Sequence, residues 1–303
     1  MPRSVLVIGE ALIDIVRPVN GPVGEYAGGS PANVAITLAR LGQQARLLTW
    51  FGQDAHGEII AEHLAESGVE LVEGSRLAAR TSTALAQLDD TGAASYEFDI
   101  EWRIDATDLG AEPAAVHLGS IAATLEPGGS AAVEILRAKH ANSVITYDPN
   151  MRPDLMGEPE NVRGRVEELV ALSDVVKVSD EDLEWLFPGE DLLQIAHRWQ
   201  SAGPALVVIT RGGSGATAVS GEHVVDVEAP RVEVADTVGA GDSFMGALID
   251  FLAHGQVLSA NKRAELRSLS VVQITELLQY AARIAAITVS RPGANPPWRS
   301  ELN

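Results

Sequence analysis

The chain contains no cysteine. Disulfides, thiolate metal ligands and cysteine nucleophiles are excluded together, and a cytoplasmic protein is expected. Lysine is scarce: Lys139, Lys177 and Lys262 are the only three, and none stands in a glycine-rich turn. A phosphate loop of the G-x-x-x-x-G-K-[ST] kind is therefore absent. Positive charge is short overall, with 22 Lys and Arg against 42 Asp and Glu and a formal net charge of −20. Such a field repels phosphates over most of the surface, so no nucleic-acid partner is expected. A phosphate-bearing ligand would need a local site of backbone N–H groups, metal ions or a few arginines. The chain has no apolar run of the roughly 18 residues needed to cross a bilayer. Its first residues, from Met1 to Gly9, lack the core and cleavage site of a signal peptide, so no membrane partner is expected. The seven histidines show no metal-ligand spacing.

What remains is an ordinary globular composition, 46% apolar and 21% charged over 303 residues, enough to bury a substantial core. Short Val/Ile/Leu runs at 5–8, 46–51, 115–118, 143–147, 175–178 and 206–210 read as buried strands. Segments of helical period lie between them, at 57–67, 130–140 and 161–172 for instance. This alternation predicts a doubly wound α/β fold, a mostly parallel sheet with helices on both faces. The rhythm breaks at 11–27 and 81–102, which read as strands without intervening helices. The second stretch holds the turn signal Asp89-Asp90-Thr91-Gly92 between residues 83–88 and 95–98, a hairpin pattern. One domain over 1–303 is expected, with these two stretches forming a small β lid. Tyr96, Phe98 and Trp102 fall on or beside that lid and read as packing residues.

From Val232 the chain reads as a short strand, then the turn Asp236-Thr237-Val238-Gly239-Ala240-Gly241-Asp242, then a helix. Phe244, Ala247, Leu248, Phe251 and Leu252 fall on one helical face, which puts Asp242 in the first turn. Gly239, Ala240 and Gly241 have little side chain, so their N–H groups can converge on an anion, aided by the helix dipole. A carboxylate there would repel a phosphate unless it accepts a proton or meets a metal. As a bare helix-start residue it would need neither role. Gly239-Ala240-Gly241 also opens like a dinucleotide fingerprint, but the third glycine position is Phe244.

Near the N-terminus stands Gly28-Gly29-Ser30-Pro31-Ala32-Asn33-Val34-Ala35, with Leu41-Gly42 and residues 51–57 following. Ser30 suits an N-cap and Pro31 the first helical position, placing Asn33 in the first turn. Three further stretches follow buried strands: Tyr147 to Pro153, Val176 to Asp182, and Val208 to Ala216. The first sits where ligands of open α/β sheets bind, and its Arg152 offers several fixed donors.

The 236–242 segment with Gly246-Ala247-Leu248 is similar, position by position, to the C-terminal signature of the ribokinase-like (PfkB) carbohydrate kinases. The 28–57 array resembles that family's N-terminal signature, so the resemblance spans essentially the whole chain. It implies that Asp242 is the catalytic base and that Gly239, Ala240 and Gly241 form the anion hole. It implies sugar contacts from Asp14, Gly28, Gly29 and Asn33. Nucleotide contacts are implied at Ser179, Thr210, Gly212, Gly215 and Gly241. Asp236 would shape a monovalent-cation site, completed by backbone carbonyls at Val238, Thr288, Arg291 and Gly293. The family's N-x-x-E stretch is matched with departures: Ser179 replaces Asn, and Asp182 replaces the Glu that acts on Mg²⁺. Asp148-Pro149-Asn150-Met151-Arg152 resembles the D-x-N-x-R stretch of the fructokinase and 2-keto-3-deoxygluconate kinase branches, which makes Arg152 a candidate for contact with the substrate or the phosphoryl group.

The implied function is an ATP-dependent sugar kinase using Mg²⁺ and K⁺, with ATP and a sugar as partners and a second copy docking through the lid. Fructose is the first acceptor; 2-keto-3-deoxygluconate, ribose and a nucleoside are the alternatives. A Rossmann oxidoreductase would need its fingerprint after the first strand, where Gly9-Glu10-Ala11-Leu12 has none. A non-catalytic sugar sensor is opposed by the intact Gly-Ala-Gly-Asp turn.

Overall fold

The structure is a computed structural model and describes residues 3–19, 21–88, 94–105 and 108–302. Thirteen strands are present among them: β1 Ser4–Ile8, β2 Leu12–Arg17, β3 Gly24–Gly28, β4 Gln44–Leu48, β5 Glu70–Leu71, β6 Thr83–Leu88, β7 Ala94–Asp99, β8 Ala115–Gly119, β9 Val144–Asp148, β10 Val175–Ser179, β11 Leu206–Thr210, β12 Ala216–Ser220 and β13 His223–Val227. The helices are α1 Ser30–Arg40, α2 Ala55–Glu66, α3 Gly128–Lys139, α4 Pro153–Met156, α5 Pro159–Leu172, α6 Asp180–Leu186, α7 Leu192–Ala202, α8 Ala240–His254, α9 Arg263–Arg267 and α10 Val271–Val289.

Nine strands form one sheet in the order β13-β12-β11-β10-β9-β8-β1-β4-β5. From β11 to β5 every pairing is parallel, whereas β12 and β13 close the other edge as antiparallel strands. Because helices cover both faces, the central strands carry apolar side chains on both sides. Val5, Val7, Leu47, Val175 and Val208 enter the core under α1, α8 and α10. Their neighbours Leu6, Ile8, Leu48, Val176 and Ile209 enter the core under α3, α5 and α7. The chain winds outward from β1 to β5 in one direction and from β8 to β11 in the other. The crevice outside the carboxyl ends of β1 and β8 is therefore the switch point at which such sheets bind ligands.

The stretches 11–27 and 81–102 supply β2, β3, β6 and β7, which form a separate four-stranded sheet in the order β3-β2-β6-β7. It is mixed: β2 pairs parallel with β6, and the two outer pairings are antiparallel. The Asp89 to Gly92 turn signal and the side chain of Tyr96 lie outside the described residues. Trp102 is buried and donates its indole N–H to Ala122 O at 3.1 Å, a packing role.

Several boundaries differ from the sequence reading. The run expected at 46–51 is a strand only over Gln44–Leu48, since its last residues leave the sheet toward α2. That helix starts at Ala55, earlier than expected, because Asp54 caps it through Gly57 N at 2.8 Å. The strand expected from Val232 does not form: residues 231–234 are irregular and exposed, and among the described residues they pair with no strand. The main sheet already ends at β13.

Helices α1 and α8 lie against each other, and at Gly246 they approach closely. A Cβ there would sit 2.7 Å from both Cβ and Cγ2 of Thr37. This contact sets the distance between the two helix starts, which lie at the mouth of the crevice.

Candidate functional site

Helix α8 begins after Gly239, whose φ of 75° is a left-handed conformation that suits glycine. A Cβ on Gly239 would also come within 2.6 Å of the Ala294 side chain. The turn thus packs against the segment that follows α10. Asp242, third in the helix and 7% exposed, accepts from Ser30 Oγ at 2.7 Å and from Asn33 Nδ2 at 2.8 Å. Ser30 and Asn33 belong to the first turn of α1, so two helix N-termini meet over one carboxylate. Ser30 does not cap its own helix, contrary to the sequence reading. Gly29 holds the cap position with φ 108°, and the Ser30 hydroxyl is turned to Asp242 instead.

The helix starts open onto a cavity of about 650 Å³. Its walls include Glu10, Asp14, Phe98, Ile100 and Ser120, and also Ser179, Asp182, Thr210 and Gly212. Burial pushes the Glu10 carboxyl up to about 7 and Asp14 up to about 6, opposed in both cases by the Arg152 guanidinium. Glu10 also accepts from Ala122 N at 3.3 Å, which fixes the loop after β8. Arg152 curls over its own turn, donating to Asn150 Oδ1 at 2.8 Å and Met151 O at 2.9 Å.

Asp182 accepts from Met151 N at 2.8 Å and from Ser179 N at 3.2 Å, while its own N–H donates to Ser179 Oγ at 3.0 Å. This capping box joins the loop after β9 to the start of α6. Asp236, half-buried, accepts from Val238 N at 3.0 Å and Gly293 N at 2.9 Å. The N–H of Val238, then that of Gly293, hold its carboxyl below the usual range. It thereby ties the 236–239 turn to the loop after α10.

The family model described as "pfkB family carbohydrate kinase" matches residues 2–301. The chain belongs to the pfkB family. Among its relatives is the fructokinase of Rhizobium leguminosarum bv. trifolii, 35% identical over 274 residues, which are 86% of this chain and 83% of that one. Among solved structures, the Xylella fastidiosa fructokinase with bound ATP superposes with a TM-score of 0.82 at 27% identity, covering 97% and 94% of the two chains. A double mutant of the Vibrio cholerae O395 fructokinase, bound to fructose, ADP and potassium ion, gives 0.82 at 26% identity, covering 96% and 94%. This pfkB family member is a carbohydrate kinase, a phosphotransferase acting on an alcohol group.

Of the residues singled out in the kinase sequence, Asp14, Gly29, Asn33, Arg152, Ser179, Asp182, Thr210, Gly212 and the run 238–242 all line the one cavity. Gly28 does not. It lies beneath Asp14, whose Oδ2 would be 2.1 Å from a Cβ at that position. Gly215 packs against Val227 O, and Asp236, Thr288, Arg291 and Gly293 gather behind the turn rather than in the cavity.

Sequence reasoning missed Glu10, Ser30 and Lys177, all on the cavity wall. Lys177 is one of the lysines that sequence places outside every glycine turn, yet in space its ammonium reaches Gly241. A signal was available, because a charged residue inside a fully apolar strand must find a partner.

The raised carboxyl of Glu10 makes the unliganded kinase pH-sensitive. Between its ordinary pKa of 4.5 and the folded value of about 7, the unfolded chain releases this proton and the folded protein keeps it. Stability therefore falls as pH rises through that window, by something on the order of 3 kcal/mol for this one group. Glu10→Gln should flatten that part of the profile. Chemical unfolding at several pH values between 4.5 and 7.5 checks this, and identical slopes in the two proteins would remove Glu10 as the source.

Proposed function

We propose that this pfkB kinase transfers the γ-phosphoryl group of ATP to a hydroxyl of fructose. The observation that carries the reading is the Asp242 carboxylate, held by Ser30 and Asn33 at the point where the cavity's carboxylate-lined end meets the 239–242 turn. Bound near Asp14, Asn33 and Arg152, the sugar would present one hydroxyl to Asp242. Gly28 would serve by letting Asp14 lie flat, and Gly29 by letting the chain approach the ligand. The triphosphate would lie along Ser179, Thr210, Gly212 and Gly241, with Gly215 shaping that hairpin.

The hydroxyl proton passes to Asp242 as the sugar oxygen bonds to the γ-phosphorus. The bond from that phosphorus to the β–γ bridging oxygen breaks, and its electron pair leaves with ADP. N–H groups of Gly239, Gly241 and Asp242 at the helix start would stabilise the charge on the transferring group, with that of Ala240, which donates to Thr237 O at 3.3 Å, turning to it only as the ligand binds. With the proton moving late in a loose transition state, the position of Asp242 matters more than its basicity.

Mg²⁺ is part of the nucleotide substrate. Among the described residues no three His, Cys, Asp or Glu side chains cluster as a metal cage. That suits an ion held mainly by phosphates and water, with Asp182 as the nearby protein carboxylate. A K⁺ ion would be held behind the turn by the Asp236 carboxylate, which the N–H groups of Val238 and Gly293 favour in its ionised form, with the backbone carbonyls of Val238, Thr288, Arg291 and Gly293 as further donors. When bound it would supply fixed positive charge beside the anion hole.

The four-stranded sheet would act as a lid, excluding water as a competing acceptor. Tyr26 on it is 61% exposed, which favours a second copy docking there; sedimentation showing only monomers would exclude that contact. No helix among the described residues is long and apolar enough to cross a membrane, in keeping with a cytoplasmic enzyme.

Fructose is favoured by the fructokinase relatives together with the Gly-Gly-Ser-Pro-Ala-Asn and Asp-Pro-Asn-Met-Arg runs. ADP release measured across fructose, 2-keto-3-deoxygluconate, ribose and nucleosides should give fructose the highest kcat/KM. A higher value for any other acceptor would replace it. Turnover in potassium should exceed that in sodium or tetramethylammonium at fixed ionic strength. Equal rates in all three would remove the cation assignment and leave the kinase reading intact.

A further inference from the structure

Strand β10 reads Val-Val-Lys-Val-Ser, and its lysine is 3% exposed in the middle of an apolar sheet. Lys177 Nζ donates to Asp148 Oδ2 at 2.8 Å, with both side chains almost fully buried. Burial works against the ammonium, but Asp148, followed by Asp182 and Asp242, outweighs it and holds the group above the ordinary lysine value. Asp148 is pushed by burial up to about 6, opposed by Lys177, so the pair is ionic at neutral pH.

We infer that Lys177 is a phosphate-binding residue of this kinase: its ammonium, anchored by Asp148, reaches through the wall at Gly241 to the terminal phosphate oxygens of the nucleotide. Three observations carry this. A Cβ on Gly241 would lie 2.9 Å from Nζ, so glycine at that position is what admits the charge to the turn. An ammonium has three N–H donors, and among the described residues Asp148 is the only hydrogen-bond partner of this one. The remaining donors are left for the cavity that Lys177 lines. Among the described residues Lys177 and Arg152 are the only cationic side chains on that cavity wall, and Arg152 is folded onto its own turn.

Electrostatics makes the placement consequential. Asp148, Asp182 and Asp242 all act on Lys177, beside the turn where the polyphosphate would sit, in a chain of net charge −20. An ammonium shielded from water interacts far more strongly with phosphate than an exposed one. The competing explanation is that Lys177 only neutralises Asp148. Yet Asp148 Oδ1 is itself buried without a partner, so the carboxylate is poorly satisfied and serves better as the anchor than as the group being rescued. A buried ion pair can usually be replaced by apolar residues with little loss of stability.

The inference rests on reading 239–242 as the phosphate turn, and the test separates the two. The double variant Lys177→Met with Asp148→Leu removes both charges, so neither is stranded. Its Tm should stay near that of the wild type. Affinity for a non-hydrolysable ATP analogue should fall at least tenfold, and kcat/KM for ATP by about 10²-fold, with the fructose KM little changed. A folded double variant within twofold of wild type on both counts would overturn the inference.

A wild-type measurement stands beside it in case that variant does not fold. With three lysines in the chain, ¹⁵N-lysine labelling gives a readable spectrum, and the analogue should shift the Lys177 Nζ resonance. Analogue binding that leaves this resonance in place would equally overturn the inference. A wild type that does not bind the analogue at all would count against the phosphate turn itself.

Discussion

One buried carboxylate organises this molecule. Asp242 receives a hydroxyl and an amide from a helix more than 200 residues earlier in the chain, and both donors come from the first turn of α1. Without those bonds a desolvated acid would stand at the mouth of the crevice with nothing to hold its rotamer. With them its oxygens are fixed in space, which an acceptor of a hydroxyl proton requires. The packing of α1 on α8 serves the same end. The close approach at Gly246 and Thr37 fixes how far apart the two helix starts can be, so the stability of the core and the geometry of the carboxylate are set together.

The second constraint is charge. A strongly acidic chain has to receive a polyphosphate, and the site proposed for it offers backbone N–H groups and few side chains. The 236–239 turn is held from behind, by Asp236 accepting from Val238 and Gly293 and by Ala294 packing on Gly239. The loop after α10 is itself tied down, since Arg40 donates to Asn295 Oδ1 at 2.6 Å and Pro296 O at 2.8 Å. Arg299 reaches the buried Asp250 of α8 and also Leu41 O, at 2.6 Å each. The 236–239 turn is thereby braced against both α1 and α8.

The parallel sheet was legible because strands buried on both faces leave uninterrupted apolar runs, as in Ser4–Ile8 and Leu206–Thr210. The glycine turn before Asp242 and the Gly-Gly-Ser-Pro-Ala-Asn run were legible too, because small residues and capping chemistry cluster there. What could not be read was who faces whom. Ser30 looks like a helix cap in one dimension and is a ligand of Asp242 in three. Lys177 looks like an interruption in a strand until Asp148, on the neighbouring strand, and Gly241, on another helix, are brought beside it. Glu10 carries no local motif; its raised carboxyl follows from burial, which depends on the loop after β8 folding over it. Residues 232–234 have the composition of a strand, yet they are exposed and pair with no strand among the described residues.

The account turns on Asp242 acting as the proton acceptor rather than as a mere tie between α1 and α8. Asp242→Asn keeps the size and the helix position while removing the basic oxygen. Melting temperature, ATP affinity and kcat measured on one preparation separate the two roles. The account predicts a folded protein with nucleotide affinity unchanged or improved and kcat lowered by roughly 10²–10⁴-fold. A folded variant that phosphorylates its sugar at close to the wild-type rate would contradict it.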